Sequence, residues 1–461
     1  MTLDVAPRHS PKSRMARAGR LLRAGAASLA VLAVFAPAQE APPLKARLQA
    51  VLDGVAAAPK SPGIAAGVIL ADGTSFGLAA GLADREAKIP LKPDDRLLMG
   101  SVGKTYVAAV AMQLLGEGKI RLEDKVSVWL GKEPWFPRLP NGGEATLRHL
   151  MTHTSGLVRY EFQPAFTADL TRQPAKVWKP EELLAYVLDL EPPFAPGRGW
   201  EYSDTNYIVL GLVLEKAGGD TYYDLLRRRI LAPLKLADTV PSDSRTIPGL
   251  VQGYAGEGNP FGGADAMIKD GLFAINPQFE WTGGGLACTA PDLARWAKLL
   301  YEGRAFDPGL VKTMIDEAVP ARLGRDTKYG LGVIVRPTPF GVSWGHSGFF
   351  PGYLTEMMYF PGPKLAVAVQ VNTSVPKDIG NAPLRILLAL AEAVLGPQPA
   401  GQAQAFIPDG APSRMHSSAI QPSGRSCHSG RRAGLPDAAL GSGRARNSPN
   451  RAATWSLRHC R

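Results

Sequence analysis

Met99-Gly-Ser-Val-Gly-Lys-Thr-Tyr-Val-Ala-Ala-Val-Ala-Met-Gln-Leu-Leu115 sets a serine at position 101, a lysine three residues later, and an apolar stretch behind them. Tyr106, Val107, Val110, Ala111 and Leu114 recur at helical spacing and Gly116 and Gly118 stop the pattern, which predicts a helix over Ser101–Leu115. Residues i and i+3 share a helix face, so the Ser101 hydroxyl and the Lys104 amine can meet. At a helix start the backbone N–H groups are unpaired and the dipole end is positive, which favours an anionic oxygen. A lysine is a poor base in water, where its amine titrates at about 10.4, but burial and cationic neighbours lower that value. The bland alternative makes Ser101 a helix cap and Lys104 a solvated residue, and this stretch alone leaves both open. A phosphate loop is excluded, because Leu98 stands where that pattern needs its first glycine.

Ile64 to Leu70 and Ser75 to Ala83 are short apolar runs joined by Ala71-Asp72-Gly73-Thr74, a hairpin signal. The middle, roughly 120–300, reads as a helical lobe, with amphipathic segments at Pro180–Leu190 and Asn206–Ala217. Thr289-Ala-Pro-Asp292 opens a further helix as a capping box with Pro in its first turn. Tyr329–Val335, Gly341–Trp344, Tyr353–Tyr359 and Leu365–Asn372 read as strands, and Ala382–Leu395 as a closing helix. Strands at both chain ends and helices between them predict an α+β fold, an antiparallel sheet with helices against it.

Two more clusters carry chemistry. Tyr202-Ser203-Asp204 lies just ahead of a helix and offers a phenol that can shuttle protons beside Lys104; its plain reading is a capped helix start. His346-Ser347-Gly348 sits at a strand edge, where a glycine lets a substrate backbone come close. The N–H of Phe349 could then point at a reacting carbonyl. Gly341-Val-Ser343-Trp-Gly345 matches a nucleophile elbow, but that motif needs a following helix and later Asp and His residues, and a strand follows instead. His149 and His153 share the spacing of a zinc pair without its intervening Glu, so capping and hydrogen bonding are the expected roles, and no metal is expected.

Ser101-x-x-Lys104, Tyr202-x-Asp204 and His346-x-Gly348, in this order, resemble the penicillin-recognising serine hydrolases: class C β-lactamases, D-alanyl-D-alanine carboxypeptidases and related esterases. Thr146–Leu157, Asn206–Gly211 and Gly283–Leu293 are similar as well, and the likeness covers roughly residues 45–395. The resemblance implies a mainly antiparallel sheet flanked by helices with an all-α lobe, and no cofactor. It implies Ser101 as the acylated nucleophile and Lys104 and Tyr202 as the groups that handle its proton. The N–H groups of Ser101 and Phe349 would form the oxyanion hole, and Asp204, His346, Ser347 and Gly348 would contact substrate. Asp204 replaces the family's Asn, and a carboxylate cannot donate the amide hydrogen bond and repels an anionic substrate. His346 replaces the lysine of true lactamases and removes a permanent charge. Both departures favour a hydrolase of D-amino-acid peptides or esters over a β-lactamase, with a non-hydrolytic binder of cell-wall peptides as the rival.

The chain has 461 residues and a formal charge of +11, which resembles a nucleic-acid binder until the charge is placed. Residues 1–38 hold +5 and residues 401–461 hold +7, so residues 39–400 are nearly neutral at −1 and no nucleic-acid partner is expected. Residues 1–38 read as an export signal: arginines up to Arg23, an apolar run from Ala24 to Ala36, and Ala36-Pro37-Ala38 as the cleavage site. The run is shorter than the ~20 residues of a membrane span, so a stable anchor is not expected and the protein is expected in the periplasm or the medium. Residues 39–398 form the expected hydrolase domain, acting on a small-molecule or peptide substrate. Residues 399–461 are Arg-rich without apolar periodicity and are expected to be disordered.

Overall fold

The computed structural model describes residues 42–397, apart from 59–60, 257–258, 260–264 and 381. The expected leader and tail lie outside the described residues. Nine strands form one sheet: β1 Gly63–Ile69, β2 Ser75–Asp84, β3 Ile89–Pro90, β4 Val319–Pro320, β5 Lys328–Tyr329, β6 Ile334–Thr338, β7 Gly341–Phe350, β8 Tyr353–Phe360 and β9 Leu365–Val371. Their order is β3-β2-β1-β9-β8-β7-β6-β5-β4, with antiparallel neighbours throughout. The two ends of the domain meet where β1 pairs with β9, Ile64 opposite Val371 and Ile69 opposite Ala366. Both strands are buried along their whole length, which is why they read as continuous apolar runs rather than as alternating ones.

One face of the sheet is covered by α1 Leu44–Ala56 and the closing helix Pro383–Leu395, with Leu48, Leu52, Ile386 and Leu390 against Val68, Met358 and Val367. The opposite face carries the larger core. There α2 Lys104–Gly116 and α3 Asp204–Gly218 are buried on nearly every side, and α4 Ala290–Tyr301 packs on β1 and β9. Thr289 caps α4, its hydroxyl accepting from the Asp292 N–H at 3.3 Å. A three-stranded ribbon of Leu97–Leu98, Leu286–Cys288 and Val240–Pro241 brings the residues before Ser101 beside those after Gly283, with Met99 N–H donating to Leu286 O at 3.1 Å.

Several expectations shift. The helix over Ser101–Leu115 is a 3-10 turn, Gly100–Gly103, running into α2. The segment Pro180–Leu190 is helical only to Leu184. Among the described residues of 235–288, a span dense in Gly and Pro, there are only short strands and a 3-10 turn between the helix ending at Leu234 and α4. The strand over Tyr329–Val335 splits at Gly330-Leu331-Gly332, while Gly341–Trp344 continues to Phe350 and carries His346, Ser347 and Gly348 inside β7.

Candidate active site

Ser101 lies in the 3-10 turn and Lys104 opens α2, one turn later, so local geometry alone puts them on one face. The Lys104 Nζ donates to Ser101 Oγ at 3.0 Å and also to the Gly283 carbonyl, and it lies 2.5 Å from Asp204 Oδ1. The contact with Asp204 is a charge contact, not an aligned hydrogen bond. Lys104 is fully buried, and a buried ammonium is tolerable only when it is paired. Here two hydrogen-bond acceptors and a carboxylate surround it. Gly283 reaches the amine because the chain bends sharply just before it, with Trp281 at φ 38° and ψ −114°, a strained backbone of the kind found at functional sites.

Tyr202 completes the cluster. The Lys104 Nζ sits 4.9 Å from its ring centre. Burial and the nearby Asp204 push the phenol well above its usual range, while the Ser101 hydroxyl pulls it back. No hydrogen bond of ordinary length closes on the Tyr202 hydroxyl, so Ser101 acts on it from a longer distance. At neutral pH Tyr202 therefore holds its proton and is suited to donate one.

His153 was expected to cap, and it grips Tyr202 from both flanks. Its carbonyl accepts from Glu201 N–H at 3.1 Å and its Nδ1 accepts from Ser203 N–H at 3.2 Å. Its ring packs against the Tyr202 ring at a 36° tilt, centres 4.2 Å apart. The Asn206 amide also lies 3.1 Å from Nδ1, which places the ring proton on Nε2. His153 adopts φ +60°, a left-handed conformation that Asn tolerates better than other side chains. A His153→Asn enzyme, which keeps an acceptor near Nδ1, is expected within about tenfold of wild-type kcat. His153→Leu is expected to lose roughly 100-fold, through misplacement of Tyr202. Burial, then the charges of Lys104, His346 and Arg159, hold the His153 imidazole well below its ordinary 6.5. The unfolded chain takes up that proton near pH 6.5 and the folded chain does not. Stability is thus complete above about pH 6.5 and falls as the pH drops, and thermal melts of His153→Asn should show a shallower loss. His149, half buried, contributes with the same sign in both proteins.

β7 supplies the opposite wall. Its pairing with β6 ends at Gly345, so residues 346–350 present an open edge toward Ser101. The two-residue turn after Phe350 makes Phe350 and Tyr353 a hydrogen-bonded pair, so alternation aims the Phe349 N–H and C=O at that open edge. Glycine at 100 permits the approach: its φ is +52°, and a Cβ there would meet the Phe349 carbonyl oxygen at 2.3 Å and the Phe349 nitrogen at 2.7 Å. Gly348 is equally constrained, since its Cβ would lie 1.9 Å from the Met99 carbonyl oxygen.

The other expected contacts fall into two groups. Asp204 joins the Lys104 cluster. His346 is buried with Nδ1 donating to Ser347 O at 2.6 Å and Nε2 accepting from the Tyr329 hydroxyl at 2.9 Å, so contact with substrate would break one of these bonds. Ser347 brings its backbone, not its hydroxyl, to the site. Its side chain faces the other side of the sheet, opposite Glu356, whose carboxylate it and Arg336 hold. Sequence reasoning also missed two groups. Arg159 lies with its guanidinium carbon 5.6 Å from the Tyr202 ring centre and bonds Glu161 at 2.7 Å. Glu280 is driven well above the usual carboxylate range, by burial first and by Asp204 second. Neither belongs to a local motif; the run Gly283–Gly285 was the available signal for the segment that carries Glu280.

A family model described as Beta-lactamase matches residues 48–391. The chain belongs to the beta-lactamase family. Among its beta-lactamase-family relatives, Penicillin-binding protein 4* of Bacillus subtilis (strain 168) is 30% identical over 291 residues, 61% of this chain and 61% of that protein. The chain thus spans about three-fifths of the length of that relative. Esterase EstB of Burkholderia gladioli is 29% identical over 348 residues, 70% of this chain and 82% of the esterase. The crystal structure of a D-stereospecific amidohydrolase from Streptomyces sp. superposes with a TM-score of 0.65 at 27% identity, covering 77% of this chain and 99% of that one. These beta-lactamase-fold likenesses agree with the α+β architecture described above.

Proposed function

We propose that the protein is an exported serine hydrolase that forms an acyl-enzyme on Ser101 and prefers neutral or cationic esters and D-amino-acid amides or peptides to β-lactams. The observation that carries the reading is the buried Lys104 amine 3.0 Å from Ser101 Oγ, with the Tyr202 phenol against it. In acylation Ser101 Oγ attacks the substrate carbonyl as its proton passes to the Lys104 amine. The N–H groups of Ser101 and Phe349 receive the developing oxyanion, a contribution of about 3–4 kcal/mol per donor in comparable sites. Tyr202, which holds its proton at neutral pH, delivers one to the leaving group. Water then releases the acyl group with the same residues in reversed roles.

The substrate preference rests on charge. Both cations near Ser101 are already engaged, Lys104 by Asp204 and Arg159 by Glu161. Little positive charge is left to attract the carboxylate of a penicillin. An esterase and a D-stereospecific amidohydrolase among the similar proteins support the same choice. Turnover of a neutral p-nitrophenyl ester, a D-amino-acid amide and a penicillin by the purified protein tests it. The ester or the amide should be turned over fastest, and a penicillin hydrolysed faster than both would refute the preference. Export rests on the leader pattern, and the mass of the mature protein should place its first residue after Ala38.

A further inference from the structure

We infer that Asp204 is the proton acceptor that frees Lys104 to act on Ser101, not a contact for the substrate; this rests on the serine-hydrolase reading above. Lys104 Nζ has three acceptors around it, Ser101 Oγ, the Gly283 carbonyl and Asp204 Oδ1. Paired with the carboxylate in its charged form, Lys104 has no lone pair for the serine proton. It must release one proton before it can take another. Of its three partners, Ser101 is the reacting group and a peptide carbonyl is too weak a base to hold a proton. Only the carboxylate can. An Asn at position 204 would accept a hydrogen bond but not a proton, so this path exists here because the residue is Asp.

The surrounding groups leave Asp204 as the one open acceptor among them. Burial, and then Asp204, push the Glu280 carboxyl well above its usual range, toward its protonated form. Glu161 is bound to Arg159, which stays charged. The phenols of Tyr160, Tyr202, Tyr207 and Tyr329 also face Asp204, and burial raises all of them. Burial keeps His153 neutral. The balance is closed: the Ser101 O–H bond breaks as the bond from Oγ to the acyl carbon forms, its proton goes to Lys104 Nζ, and one Nζ proton goes to Asp204 Oδ1. When the tetrahedral intermediate collapses, the bond to the leaving group breaks. The leaving group takes a proton through Tyr202, which is restored from Asp204 by way of Lys104.

Asp204→Asn on a neutral p-nitrophenyl ester separates this role from repulsion of anionic substrates. The variant should melt below wild type, because the buried Lys104 loses its charged partner, yet keep its KM, while the pre-steady-state acylation rate of the folded protein falls about 100-fold. That rate should rise with pH across the neutral range where the wild-type rate is level, because solvent must now take the lysine proton. Asp204→Gly should be slow alone and regain at least tenfold with added formate, a readout independent of how well the Asn variant folds. Wild-type rates and an unchanged pH profile in Asp204→Asn, or no formate rescue, would overturn the relay. A wild-type protein that never acylates Ser101 would instead overturn the serine-hydrolase reading.

Discussion

Lys104→Ala is expected to acylate roughly 1,000-fold more slowly than wild type, because the group that takes the Ser101 proton is gone and Tyr202 is held in its protonated form. The same change should destabilise the fold by about 3–5 kcal/mol, since it leaves the Asp204 carboxylate buried without its partner. These two losses can be separated. Adding Asp204→Asn to Lys104→Ala removes the stranded charge, so the double variant should recover most of the stability and none of the activity. Chemical denaturation and burst kinetics on the three proteins check both halves. A single variant with near-normal burst rates would mean that another group takes the serine proton.

Gly348→Ala is expected to be nearly as damaging through packing. The added Cβ would lie 1.9 Å from the Met99 carbonyl oxygen and 3.1 Å from Val102 Cγ2, and the nearer clash is with backbone that cannot rotate away. Either β7 or the turn carrying Ser101 must shift, at a cost of about 1–3 kcal/mol in stability. The shift moves the Phe349 N–H from the position an oxyanion would occupy. Loss of one such donor lowers kcat by about 100- to 1,000-fold, with little change expected in KM. A Gly348→Ala enzyme with unaltered kcat would show that Phe349 is not a donor.

The elements and the Ser101–Lys104 pair were legible because both rest on local rules. An i, i+3 pair on a helix meets wherever that helix goes, and runs such as Leu365–Val371 are apolar because both of their faces are buried. Tyr202 was legible through its place in a motif. The acceptors of Lys104 were not, since Gly283 contributes a carbonyl that every residue possesses, delivered across 179 positions of sequence. His153 looked like half of a metal pair, and only the fold shows its ring on Tyr202. Ser347 is a different case. With His346 and Gly348 on the face toward the site, period-two alternation in a strand already turned the residue between them away. Short strand pairs inside the middle section, such as Ile268–Lys269 with Leu272–Phe273, went unread because helical periodicity cannot register two-residue strands.

Intact-protein mass spectrometry after brief exposure to a fluorophosphonate, followed by peptide mapping, tests the central claim most directly. Wild type should gain one adduct on the peptide containing Ser101, and Ser101→Ala should gain none. Equal labelling of the two proteins, or an adduct mapped to another residue, would contradict the assignment of Ser101 as the nucleophile.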